Sequence, residues 1–132
     1  MNLVDRAKFR VILADDDFIT AKYLKMFLER EAIEVDCTTN GLELVSKLKQ
    51  QAYDLVITDW LMPELDGLGA ANVIRNQIGM TDIPIILYST RLVGSAENEQ
   101  IRNLNISHVL RKPLDAPRML RLIKSTLSAV NV

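Results

Sequence analysis

"FRVILADDDFITAKYLKMFLERE", residues 9–31, joins two periodicities through three acids. Val11 to Ala14 is an unbroken apolar run, the pattern of a strand covered by helices on both faces. From Phe18 onward the period changes. Ile19, Tyr23, Phe27 and the Leu24–Leu28 pair recur at helical spacing. Asp15, Asp16 and Asp17 fill the junction. Adjacent like charges repel, so the triplet needs a reason. A carboxylate just before a helix caps its free N–H groups, which suits Asp17 and could extend to Asp16. A divalent cation would relieve the remaining repulsion.

The same strand-then-helix unit recurs along the chain. "IEVDC" (33–37) alternates like a strand, and Thr38, Thr39 and Asn40 offer caps for the helix "GLELVSKLKQQ". "DLVIT" (54–58) is the third strand, followed by the loop "WLMPELDG" (60–67) and the helix "LGAANVIRNQ" (68–77). "IPIILY" (83–88) and "SHVLR" (107–111) are the fourth and fifth strands, with helices predicted over 95–104 and 116–130. Pro117 is tolerated in the first turn of the last helix, whose expected core stripe is Leu120, Ile123 and Leu127. Five such units, joined by helical crossovers, imply an α/β fold. It is a five-stranded parallel sheet, doubly wound into a three-layer sandwich.

In such a sheet, ligands bind beyond the carboxyl ends of the strands. Strand one ends in Asp15-Asp16-Asp17, strand three in Thr58-Asp59, strand four in Ser89-Thr90 and strand five in Arg111-Lys112-Pro113. Carboxylates, hydroxyls and a lysine therefore share one rim. Clustered carboxylates suit a hard cation such as Mg²⁺ (or Mn²⁺), which takes oxygen ligands. A lysine neutralises a phosphoryl oxygen as a point charge, and a free carboxylate can attack phosphorus.

Composition sets bounds on the rest. The chain has 132 residues, 48% apolar and 25% charged, with net charge −1. That suits one domain with a real core and gives no basis for bulk nucleic-acid or membrane binding. No apolar run approaches the ~18–20 residues of a membrane span. "MNLVDRAKFR" lacks the pattern of a signal peptide, and Cys37 is the only cysteine, so a reducing cytoplasm is the expected compartment.

The segments "VILADDD" (11–17), "DLVITDWLMPELDG" (54–67), "IPIILYST" (83–90) and "HVLRKPL" (108–114) together resemble the receiver domain of two-component response regulators. The resemblance spans about residues 8–130 and implies the flavodoxin-like strand order 2-1-3-4-5. It makes Asp59 the phosphoacceptor, assisted by Ser89 and Lys112. Mg²⁺ would be held by Asp15, Asp16, Asp59 and the backbone carbonyl of Leu61, and the Lys112–Pro113 bond would be cis. The implied donor is a phosphohistidine on a histidine kinase or histidine phosphotransfer protein. The implied response is a shift of the face formed by helix four, strand five and helix five. That face would contact an unidentified downstream protein or form a homodimer. The chain is read as one receiver domain over 1–132, without an output domain and without turnover chemistry of its own.

Two features depart from the family pattern. Val109 stands where an aromatic switch residue is common, and Leu104-Asn105 replaces a small-residue turn. Asn105 can supply a left-handed helix end. Leu61 and Arg91 flank the path of attacking water and are expected to slow loss of the phosphoryl group. Two other functions fit parts of the chain. Asp15-x-Asp17 has the spacing of a haloacid-dehalogenase-type phosphatase, though the later acidic motif is missing. A pseudo-receiver that only binds partners would need no complete acidic set. His108 is expected to serve packing or solvent contact, Cys37 to be a small core residue, and Trp60 to be partly exposed. Arg118, Arg121 and Lys124 are read as a solvated face of the last helix, or as a partner or dimer surface facing Glu97 and Glu99 of helix four.

Overall fold

A computed structural model describes residues 9–90 and 94–130. Arg91 therefore lies outside the described residues. In chain order the elements are β1 (Phe9–Ala14), α1 (Phe18–Glu29), β2 (Ile33–Thr38), α2 (Gly41–Gln50), β3 (Leu55–Asp59), α3 (Gly67–Asn72, continued as a π-helix over Val73–Ile78), β4 (Ile85–Ser89), α4 (Ser95–Asn103), β5 (His108–Arg111) and α5 (Ala116–Val130). The sheet is five-stranded in the order β2-β1-β3-β4-β5, and all its pairings are parallel.

Period-two alternation sorts the core into two layers. Val11 and Leu13 of β1, Leu55 and Ile57 of β3, and Ile86 and Tyr88 of β4 face α1 and α5, meeting Leu24, Leu28, Met119, Ile123 and Leu127. Ile12, Ala14, Val56 and Ile85 face the other way, onto Leu44, Leu48, Ala70 and Ile74. The central strands are buried on both faces, which is why they read as continuous apolar runs.

Several expectations need correction. In α1, Leu24 and Leu28 are buried, but Ile19 is 78% and Tyr23 53% exposed. Ala21, Leu24 and Leu28 fill the sheet side with Phe27 packed at its edge, so Phe18, Ile19, Tyr23 and Met26 are left exposed. In α5, Met119 takes the buried place expected of Leu120, which is only half-buried. Cys37 is exposed although it shares the face of Ile33 and Val35, because it lies near the carboxyl end of β2, an edge strand. Trp60 is buried, not partly exposed. Its N–H donates to the Tyr88 carbonyl at 2.9 Å and its carbonyl accepts from Gly67 N–H at 2.7 Å, folding the loop over it. Lys124 pairs with Glu31, at the α1–β2 turn, at 3.1 Å.

Candidate functional site

The strand ends bring the predicted residues to one rim. Asp15 follows β1, and Asp59 closes β3 rather than following it. Alternation aims both toward the α1/α5 side, because Asp15 continues the Val11–Leu13 series and Asp59 the Leu55–Ile57 series. One carboxylate oxygen from each of Asp15, Asp16 and Asp59 lies within 4.8 Å of the other two. Asp15 and Asp59 are buried, whereas Asp16 is exposed. Such an all-oxygen, part-open set fits a hard divalent ion that keeps some of its waters.

Lys112, just beyond β5, donates from Nζ to Asp59 Oδ2 at 3.0 Å. Burial pushes the Asp59 carboxyl above its usual value; the Lys112 hydrogen bond opposes this, and the Asp15 charge adds to it. The backbone holds Lys112 in place, since its N–H donates to the Ser89 carbonyl at 2.9 Å. Ser89 is the buried last residue of β4, in register with Arg111 of β5. Leu61 lies in the loop after Trp60, with its side chain exposed. The Lys112–Pro113 bond is cis.

Asp17 stands apart from the cluster. It caps α1, accepting from Ile19 N–H at 3.1 Å and from the Thr20 hydroxyl at 2.7 Å. These bonds, the Thr20 hydroxyl foremost, hold its carboxyl below the usual value.

Residues 11–124 match the family described as "Response regulator receiver domain". The chain belongs to this family. It is 34% identical over 110 residues to the transcription factor SKN7 of Candida albicans, covering 83% of this chain but only 19% of that protein. It is 27% identical over 117 residues to the polar-differentiation response regulator DivK of Brucella anthropi, covering 89% of this chain and 94% of that one. The receiver domain of sensor histidine kinase PA1611 from Pseudomonas aeruginosa, a structure with a magnesium ion in its active-site cleft, superposes with a TM-score of 0.81. The two share 22% identity, over 92% of this chain and 99% of that one. The fold and strand order are those of a receiver.

One residue of this receiver's rim, Tyr88, carries no local sequence signal of its place there. The Tyr88 hydroxyl donates to Asp15 Oδ2 at 2.7 Å, and Lys112 Nζ lies 5.2 Å from the Tyr88 ring centroid. Burial and the neighbouring Asp15 push the phenol far above its usual value, so it stays protonated. Strand parity could have found it. Ile86 and Tyr88 share the face of Leu13 and Ile57, the face to which Asp15 and Asp59 belong. His108, by contrast, is half-buried at the start of β5, in register with Ile86 and at the opposite end of the strand from the rim.

Proposed function

We propose that this receiver accepts a phosphoryl group onto Asp59 from a phosphohistidine of a histidine kinase or histidine phosphotransfer protein. The carrying observation is the convergence of Asp15, Asp16 and Asp59 with Lys112 already on Asp59. Asp15, Asp16, Asp59 and the Leu61 carbonyl would hold Mg²⁺ or Mn²⁺. A bound ion there would offset charge on the transferring oxygens. An Asp59 oxygen forms the new bond to phosphorus as the bond to the donor imidazole nitrogen breaks, and that nitrogen keeps the electron pair. Lys112 passes from Asp59 Oδ2 to a phosphoryl oxygen, and the Ser89 hydroxyl donates to another. The product is an acyl phosphate and a signal, not a turned-over substrate.

The nucleophile assignment is supported by how the other acids are used. Asp15, the nucleophile of a phosphatase reading, is buried and takes hydrogen bonds on both oxygens. Asp17, the second acid of that reading, is committed to the α1 cap. The test is incubation with phosphoramidate and Mg²⁺, then mapping of the hydroxylamine-labile label. Label on Asp59, absent in Asp59→Asn, is expected. Label on Asp15 would overturn the assignment, and partner responses that survive Asp59→Asn intact would favour a pseudo-receiver.

The donor's docking surface is supported by the apolar residues that α1 leaves outward. Phe18, Ile19, Tyr23 and Met26 are all more than half exposed. A cleft of about 290 Å³ beside them is lined by Ile19, Thr20, Tyr23, Lys112, Pro113 and Leu114, so it opens next to the acceptor. A contiguous apolar patch there suits a partner that must reach Asp59. The output face is α4, β5 and α5, where acidic Glu99 and basic Arg118 and Arg121 give charge complementarity for a downstream protein or a second copy. Among the described residues no helix is long and apolar enough to cross a membrane. The proposed setting is the cytoplasm, and the proposed unit is a single receiver domain over residues 1–132.

A further inference from the structure

Tyr88 touches more of the rim than packing alone requires. Its side chain is fully buried among Leu13, Ile57 and Ile86, yet the ring ends at the acidic cluster. The hydroxyl donates to Asp15 Oδ2, while Asp17 N–H donates to Asp15 Oδ1 at 2.8 Å. Both oxygens of this buried carboxylate are therefore aimed by the protein. On the ring face, Lys112 Nζ sits between the aromatic surface and Asp59, 5.2 Å from one and 3.0 Å from the other. One side chain thus contacts a carboxylate on β1's end and the cation on β5's end. A buried phenol with no role beyond packing would need only some acceptor. This one takes an oxygen of a cluster acid.

We infer that Tyr88 is a positioning residue of the acceptor site: its hydroxyl fixes the Asp15 carboxylate for a divalent cation, and its ring seats Lys112 against Asp59. The inference rests on the metal reading of the Asp15–Asp16–Asp59 cluster. Hydrogen bonds from outside the ligand set orient the ligands, and deleting them costs metal affinity. An ammonium over an aromatic face is held by the ring quadrupole. The two functions belong to different atoms, so they separate by substitution. Tyr88→Phe deletes the hydroxyl and keeps the ring. Tyr88→Leu deletes both.

The experiment measures Mg²⁺ affinity by titration calorimetry on the unphosphorylated chain, then the rate of labelling by phosphoramidate against Mg²⁺ concentration. Tyr88→Phe is expected to weaken Mg²⁺ binding about tenfold. Its labelling rate should return to the wild-type value at saturating Mg²⁺. Tyr88→Leu should stay slow even at saturation, because Lys112 has lost its seat. Tyr53→Phe is the control. It too deletes a tyrosine hydroxyl bonded to an aspartate, Asp36, but away from the rim. It should leave Mg²⁺ affinity unchanged. In an Asp15→Asn background, Tyr88→Phe should have no further effect on affinity, since the group it orients is already altered. Affinity within twofold of wild type for Tyr88→Phe, or the same tenfold loss in the Asp15→Asn background, would overturn the hydroxyl's role. Equal saturated rates for Tyr88→Phe and Tyr88→Leu would overturn the ring's role. A wild-type chain that binds no Mg²⁺ would overturn the metal reading itself, and this inference with it.

Discussion

The three adjacent aspartates have three different surroundings. Asp15 is buried and held at both oxygens, Asp16 is exposed within the cluster, and Asp17 is outside it on the α1 cap. If Mg²⁺ relieves repulsion in the cluster, it raises the melting temperature by mass action. Asp16→Ala should lose most of that rise, as scanning calorimetry with and without Mg²⁺ will show. Asp17→Ala should lower the melting temperature but keep the rise. The two effects also differ with pH. The Asp17 carboxyl is held below its usual 3.8, so the folded state favours its ionised form. Its stabilisation is present above that value and is lost as pH falls through the lowered folded value. The gap in melting temperature between wild type and Asp17→Ala should therefore close in strong acid. The split between cluster and cap was legible in the sequence, because both are local features of a strand-to-helix junction. Tyr88 was not read there. Its partner Asp15 is 73 positions away, and only strand parity connects them.

Among the elements, α3 departs most from its sequence pattern. Residues 68–77 read as an ordinary helix, but from Val73 to Ile78 the turns widen to π geometry and close at Gly79, whose φ is 84°. Arg75 explains what the widened end does. Its guanidinium is buried and donates to the carbonyls of Leu104, Met80 and Asn105. Two of these carbonyls belong to the turn between α4 and β5, where Asn105 has the expected left-handed conformation with φ of 53°. An arginine in a helical pattern reads as a surface residue, and partners some 30 positions later are invisible to local periodicity. Arg75→Ala would leave carbonyls without their charged donor and should cost about 3 kcal/mol in urea unfolding. The start of α3 bears on the site itself. A Cβ on Gly67 would overlap the backbone carbonyl of Asp59 and crowd Leu87. Gly67→Ala should thus slow phosphoramidate labelling by shifting the strand end that carries Asp59, the proposed acceptor. Labelling at the wild-type rate would show that the strand end does not move.

Across the whole molecule, the sequence carried the architecture because both core layers are written as alternation within buried strands, and strand ends then dictate the rim. It did not carry which apolar helix residues would be left over. Ile19 and Tyr23 match the helical period as well as Leu24 and Leu28 do, and only the width of the sheet decides which are covered. The leftover patch on α1 makes donor and chemistry separable. Ile19→Asp should cut phosphotransfer from a protein donor about tenfold or more while labelling by phosphoramidate stays near wild type. A parallel loss in both assays would mean that the change had disturbed the site instead.

The layers also differ in how firmly they are held. The strands β1, β3 and β4 are wholly or mostly buried, whereas no residue of α4 is. Amide protons in the central strands should exchange with deuterium only through global unfolding, and those of α4 through local opening at far lower free energy. That helix, on the proposed output face, is then the one whose rearrangement draws least on the stability of the remainder. On the proposed reading, a phosphoryl group at the rim would redistribute that helix's conformers without loosening the strands that hold Asp59 in place.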